Sequence, residues 1–300
     1  MARHKNKNVP TWLAIALLVY LVGFVLAARY DLAINTALYT PTNTFAIIME
    51  AFGWYPTFII AVFYALLWLT KPAAQRKWWQ AAAGGLVGFG GLIALHIYAL
   101  HHLVKRGWFA SVTSLRALPW LAGTLVLGAL LWLAAYKAPL ALRPKLQFFG
   151  FWGSVYMLAN QAVIYPIKTL WQRTRFDDMV AAGSFDAFTP WYRPLGGGGS
   201  SFPSGHTANA AGVFVLIILC DLFPAWHKKR RWVYAGIWGY ILFMAFARVL
   251  IGRHYVSDTL AASAIMAILF FILRRTRWYK QGLAALTTAK TTTQESVHEV

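Results

Sequence analysis

Charged residues in this chain stand mostly in short patches, and between them run apolar stretches, each with at most one Asp, Glu, Lys or Arg, long enough to cross a hydrocarbon core of ~30 Å at 1.5 Å per residue. The stretches are Thr11 to Ala28, Phe52 to Thr70, Trp79 to Val104, Pro119 to Tyr136, Gln147 to Ile167, Ser204 to Phe223, Trp232 to Ile251 and His254 to Leu273. They predict an all-α polytopic transmembrane bundle, eight spans by this division and six to eight as a range. The first stretch follows Arg3, His4, Lys5 and Lys7 and exceeds the usual signal-peptide core of about 7 to 15 residues, so it reads as an uncleaved span.

Composition agrees with the pattern. The chain of 300 residues is 59% hydrophobic and 12% charged, against about 25% charged in soluble domains, which excludes a soluble globular domain, a disordered chain and a coiled coil. The single cysteine, Cys220, excludes an intrachain disulfide framework. A net charge of +19 would suggest a nucleic-acid partner in a soluble protein. Here anionic headgroups and the cytoplasmic retention of basic loops account for it, so the expected partner is the membrane and not nucleic acid.

Eight spans put both termini in the cytoplasm. Lys71, Arg76 and Lys77, then Lys137, Arg143 and Lys145, then Lys228 to Arg231, then Arg274, Arg275 and Arg277 all fall on that side. The loop with Lys105, Arg106 and Arg116 falls on the other and is the one basic segment that does not follow the rule. The division is residues 1–167 as N-terminal spans, 168–273 as a motif-bearing membrane region, and 274–300 as a basic cytoplasmic tail, disordered from Thr287.

Three polar clusters meet at the extracytoplasmic face: Lys168 to Arg175, Pro203 to His206, and Arg248 to Asp258. Lys168, Arg175 and Arg248 are fixed cations suited to a multiply charged oxyanion, with Arg173 and Arg253 close by in sequence. A charge near a span's end, as at Arg248, calls for snorkelling or an anionic partner. Ser204, Gly205 and His206 stand where a helix begins and add backbone N–H donors. His206 and His254 supply the nucleophile and general acid that phosphoryl transfer uses, and Asp258, four residues after His254, faces the same way on a helix.

On these residues the sequence resembles the type 2 phosphatidic acid phosphatase superfamily, whose motifs KxxxxxxRP, PSGH and SRxxxxxHxxxD recur in order from Lys168 to Asp258. The departures are Phe176 in place of proline and Ala247 in place of serine. The resemblance, covering about Lys168 to Leu273, implies a six-helix phosphatase-like core and hydrolysis of a lipid phosphate or diphosphate without metal or other cofactor. It also implies roles: His254 as nucleophile, Asp258 as its orienting partner, His206 as acid, and Lys168, Arg175, Ser204, Gly205 and Arg248 as the phosphate cradle. The resemblance implies a phosphohistidine intermediate; a phosphotransferase would use the same one, and a transporter is the alternative from another class.

Other features invite ordinary explanations. His96, His101 and His102 do not share the i, i+4 spacing of a helical metal site. Gly196 to Ser201 lacks the Gly-Lys-Ser/Thr of a phosphate loop and reads as a flexible linker. Phe188, Trp191 and Tyr192 read as an interfacial belt, and Arg193 as a solvated rim charge.

Overall fold

A computed structural model of the protein describes residues 11–71, 75–111, 118–194 and 197–295. Arg3, His4, Lys5, Lys7, Arg116 and Gly196, and the tail from Ser296, lie outside the described residues. Among the described residues every regular element is helical.

The first helix, α1 (Thr11–Leu38), continues ten residues beyond Ala28, through Arg29 and Asp31. The sequence reading stops at those charges. The helix continues because Asp31 is buried and paired with Arg173, so its charge never faces lipid. The second span also starts earlier than its apolar run, as α2 (Thr44–Phe52) and α3 (Tyr55–Leu69) joined at Gly53 and Trp54. Asn43 caps α2 by accepting from the Ala46 N–H at 3.0 Å. The charge that hid this start, Glu50, is buried and ion-paired.

The third span is α4 (Trp78–Gly85), a π-helical turn at Leu86–Gly90, and α5 (Gly91–Lys105). Then follow α6 (Leu118–Lys137) and α7 (Arg143–Trp171). Seven helical segments among the described residues are long and apolar enough to cross a membrane, and α7 is not one of them. It is the least apolar of the long helices up to Arg275, and polar side chains on it bond within the bundle. Its Asn160 and Gln161 amides donate to Asn209 Oδ1 at 2.7 and 2.9 Å, so its polar side chains are spent inside the bundle.

After α8 (Phe176–Ala182), the sixth span runs as α9 (Gly205–Ala211), a 3₁₀ turn (Gly212–Leu216) and α10 (Ile217–Leu222). A Cβ on Gly212 would stand 2.1 Å from Thr57 Cγ2, so only glycine lets α3 approach this closely. The chain continues through α11 (Pro224–Lys228), α12 (Arg230–Leu250), α13 (Val256–Arg275) and α14 (Arg277–Glu295). The main core forms where α7, the sixth span, α12 and α13 meet.

The tail reading needs correction. Residues 277–295 are helical, including the stretch from Thr287 that composition assigns to disorder. The reason lies upstream. Tyr279 is buried in the main core with Leu283 and Leu286 against it, so a docked first half carries the helix forward.

Helix direction alternates, and the two ends of the bundle differ in chemistry. At one end Arg274 grips Asp221 with both arms at 2.6 and 3.0 Å, Lys145 donates to the Leu222 carbonyl, and Arg143 donates to the Ala135 carbonyl at 3.0 Å. Basic residues placed there by sequence thus also close helix C-termini. The other end gathers the C-termini of α1, α5, α7 and α12 with the N-termini of α2, α9 and α13.

Candidate active site

The turn from α12 to α13 sets the third cluster. The Arg248 carbonyl accepts from the Arg253 and His254 N–H groups at 3.1 and 3.3 Å, which folds the five residues between the two motif positions into a compact loop. Gly252 makes this possible with φ +68, and a Cβ there would stand 2.7 Å from the Tyr39 ring. Its carbonyl in turn accepts from Asp177 N–H at 3.0 Å, joining this loop to the start of α8.

His254 is buried, and its Nδ1 lies 2.7 Å from the Ser201 carbonyl oxygen. That oxygen can only accept, so Nδ1 carries the proton and Nε2 keeps its lone pair. Asp258 stands farther off, 3.6 Å from Nδ1. Its carboxylate is engaged by Arg173 at 2.6 Å, Ser201 Oγ at 2.5 Å and the Tyr255 N–H at 2.9 Å. Asp258 thus reaches the imidazole mainly by fixing Ser201, whose hydroxyl it holds and whose carbonyl holds the ring. Burial, helped by the Lys168 and Arg248 charges, pushes the His254 imidazole well below its ordinary range against the pull of Asp258.

Arg173 has no part in an anion cradle. It is fully buried, bonded to Asp258, to Asp31 at 3.0 Å, to Ser257 Oγ and to the Thr189 carbonyl, with its guanidinium 4.0 Å from the Tyr255 ring centroid. Ser257 also bonds Asp31 through both its amide and its hydroxyl. This network ties α1, the long loop and α13 together behind His254.

The other cations face forward. Lys168 Nζ donates to the carbonyls of Ser200 at 2.6 Å and Pro203 at 2.8 Å, and so shapes the approach to Ser204. Arg175 donates to Ser200 Oγ at 2.7 Å, while its Nε is buried without a hydrogen-bond partner. Arg248 lies 3.0 Å from Glu50, and its Nε is likewise unpartnered. Arg253 pairs with Asp177 at 2.9 Å and also keeps an unpartnered Nε. Buried guanidinium donors left without partners suit an oxyanion, and Arg248 acts on both His206 and His254. Ser204 caps α9, its Oγ accepting from Thr207, and a Cβ at Gly205 would meet Lys168 Cε at 3.9 Å.

His206 completes the set. Its Nε2 lies 2.9 Å from the Tyr98 hydroxyl, and its ring stands among Trp54 and His102. It is also within electrostatic range of His254 and Arg248. All three sequence clusters therefore converge. Residues 150–282 match the model of the PAP2 superfamily. The PAP2 match opens inside α7 and closes in α14, a little wider than the motif-bearing stretch read from sequence. Phosphatidylglycerophosphatase B of Bacillus subtilis (strain 168) is 35% identical to this chain over 78 residues, which are 25% of the chain and 37% of that protein. The chain thus spans well under two thirds of the curated relative it matches. No solved structure matches the chain.

Both departures from the PAP2 pattern have local reasons. Phe176 is buried with Met179 and Tyr255, and its ring edge meets Tyr39 at 5.2 Å, so it packs beneath the Gly252 turn. Ala247 is buried against Ala46 of α2, where a serine hydroxyl would face a methyl group.

Sequence reasoning missed the residues that come from outside the PAP2 match. Glu50 receives Arg106 Nε at 2.6 Å as well as Arg248, and His102 Nδ1 stands 3.6 Å from it. Arg106, from the loop whose charge broke the topological rule, is thus bound to a site residue's partner. Asp31, Trp54 and Tyr98 have no motif of their own. Glu50 was the one signal available, because Arg248 needed an anion and few acids exist. Of the three histidines set aside as a metal site, His96 bonds Thr124 at 2.8 Å and His102 turns to Glu50, so they do not converge.

Proposed function

We propose that the protein is an integral membrane lipid phosphatase that hydrolyses a lipid phosphate or diphosphate through a phosphohistidine at His254, with no metal in the chemical steps. The observation that carries this reading is the His254 ring: Nδ1 is committed to the Ser201 carbonyl, which leaves Nε2 with its lone pair, and the Lys168 and Arg248 charges act on the ring. Nε2 attacks phosphorus in line while Lys168, Arg175 and Arg248, with Ser204 and the Gly205 amide, hold the non-bridging oxygens. His206 protonates the departing alcohol and then takes a proton from the water that releases phosphate. Asp258 is a positioning residue, acting through Ser201.

The substrate enters laterally from the bilayer with its headgroup at the extracytoplasmic face, and both termini lie in the cytoplasm. The relative's name makes phosphatidylglycerophosphate the first compound to try. The test is a panel of purified lipid phosphates and diphosphates, with products identified and candidate acceptors added in parallel. Release of inorganic phosphate at full rate with water alone supports a hydrolase, and dependence on an acceptor makes it a transferase. His254→Ala abolishes release without unfolding, and a chelator leaves the rate unchanged. Chelator inhibition reversed by a divalent cation overturns the metal-free scheme.

A further inference from the structure

Tyr98 lies on α5, outside the PAP2 match, yet its hydroxyl is the hydrogen-bond partner of His206 Nε2 at 2.9 Å. The tyrosine is itself held. Its ring stacks on Trp54 at 4.4 Å and 22°, and meets its other neighbour, His102, tilted by 57° at 4.5 Å. Trp54 also contacts the His206 ring at 5.2 Å, so the same indole braces both members of the pair. His102 is in turn fixed beside Glu50, the carboxylate that pairs with Arg248. A hydroxyl delivered to one ring nitrogen by so constrained a side chain decides which nitrogen of His206 exchanges protons.

We propose that Tyr98 is a positioning residue for His206: its oxygen accepts the Nε2–H bond throughout the cycle, so that Nδ1 is the atom that gives and takes the proton. The inference rests on the phosphatase reading above. In the first step the P–O bond breaks and the P–N bond to His254 Nε2 forms, and the leaving oxygen takes the proton from His206 Nδ1. In the second step water forms a new P–O bond and loses its proton to Nδ1. The P–N electron pair returns to His254. His206 passes from imidazolium to neutral and back, and Nε2–H stays on Tyr98 in both states.

Without the hydroxyl, the ring loses its preferred tautomer and orientation. General acid assistance contributes about 10²- to 10⁴-fold to such steps, and it matters for an alcohol leaving group but little for p-nitrophenolate. The test is Tyr98→Phe in the full-length protein, which keeps the stacked ring. It is assayed on an alkyl lipid phosphate and on p-nitrophenyl phosphate.

The expected result is a fall of about 10- to 100-fold in kcat/KM for the lipid, with kcat/KM for the aryl ester within about threefold of wild type. Because the second step still needs His206, kcat for the aryl ester falls and a burst of p-nitrophenol appears. In a His206→Ala background, Tyr98→Phe has no further effect on the lipid. Equal losses of kcat/KM on both substrates, no loss on either, or an undiminished penalty in the His206→Ala background overturns the proposal. Undiminished turnover by His254→Ala overturns the underlying reading, and the proposal with it. Orthovanadate inhibition, which Tyr98 does not touch, is expected to be unchanged in Tyr98→Phe and reports on whether the variant is folded.

Discussion

Glu50 joins two demands of physical chemistry at one residue. A buried arginine needs an anion, and a carboxylate in an apolar helix needs cations, and here Arg248 at 3.0 Å and Arg106 at 2.6 Å meet both. Glu50→Gln leaves Arg248 uncompensated, so the variant is expected to melt several degrees lower in detergent. Orthovanadate, supplying the missing anion, should raise its melting temperature by more than it raises that of wild type. An equal vanadate shift in both would separate Glu50 from the anion site. His254 makes a second prediction at this scale. Its folded-state pKa is depressed by burial, below an unfolded value of about 6.5. As pH falls through that value, the unfolded chain takes up a proton that the folded ring resists, and stability declines. The melting temperature should therefore drop between pH 7 and 5.5, and His254→Asn should flatten the slope; an unchanged slope would assign it elsewhere.

Two arginines two residues apart belong to different elements of the design. Arg173 faces back, joining Asp31 on α1 and Asp258 on α13, and Arg175 faces forward to Ser200 with a free Nε. Removing one partner from a buried ionic network typically destabilises by about 3–5 kcal/mol. Arg173→Ala is thus expected to lose the folded protein during purification. Arg175→Ala should purify normally and show a raised KM for the lipid phosphate. A well-folded Arg173→Ala with only a changed KM would contradict this division. The sequence alone does not separate the pair, because the partners that distinguish them, Asp31 and Asp258 for Arg173 and Ser200 for Arg175, are brought to them only by the fold. Helix ends were misjudged for a related reason. Charges at Asp31 and Glu50 look like span boundaries until their partners, Arg173 for Asp31 and Arg106 and Arg248 for Glu50, are known.

Across the whole molecule, the two ends of the bundle differ in chemistry, and the proposed orientation in the membrane rests on that difference. One end carries basic residues capping helix C-termini, and the other carries the histidines and the open guanidiniums. Single cysteines at Tyr192 and Lys229, both exposed and at opposite ends, test the proposed orientation in a background with buried Cys220 replaced by alanine. A membrane-impermeant maleimide on intact cells is expected to label the cysteine at 192 and not that at 229; the reverse pattern would put the site in the cytoplasm.

Amino-acid order alone determined the membrane class, the helical architecture and the three clusters with their two histidines. These follow from hydrophobic run length and from side chains whose chemistry needs short spacings, and both are local properties. Tertiary structure decided which guanidiniums keep open donors and which are spent within the fold. It turned Arg173 inward, gave Arg248 its carboxylate, put the Ser201 carbonyl between Asp258 and His254, and brought Tyr98 to His206. A buried charge is tolerated only beside its partner, and that partner is chosen by packing across the bundle rather than by neighbours along the chain.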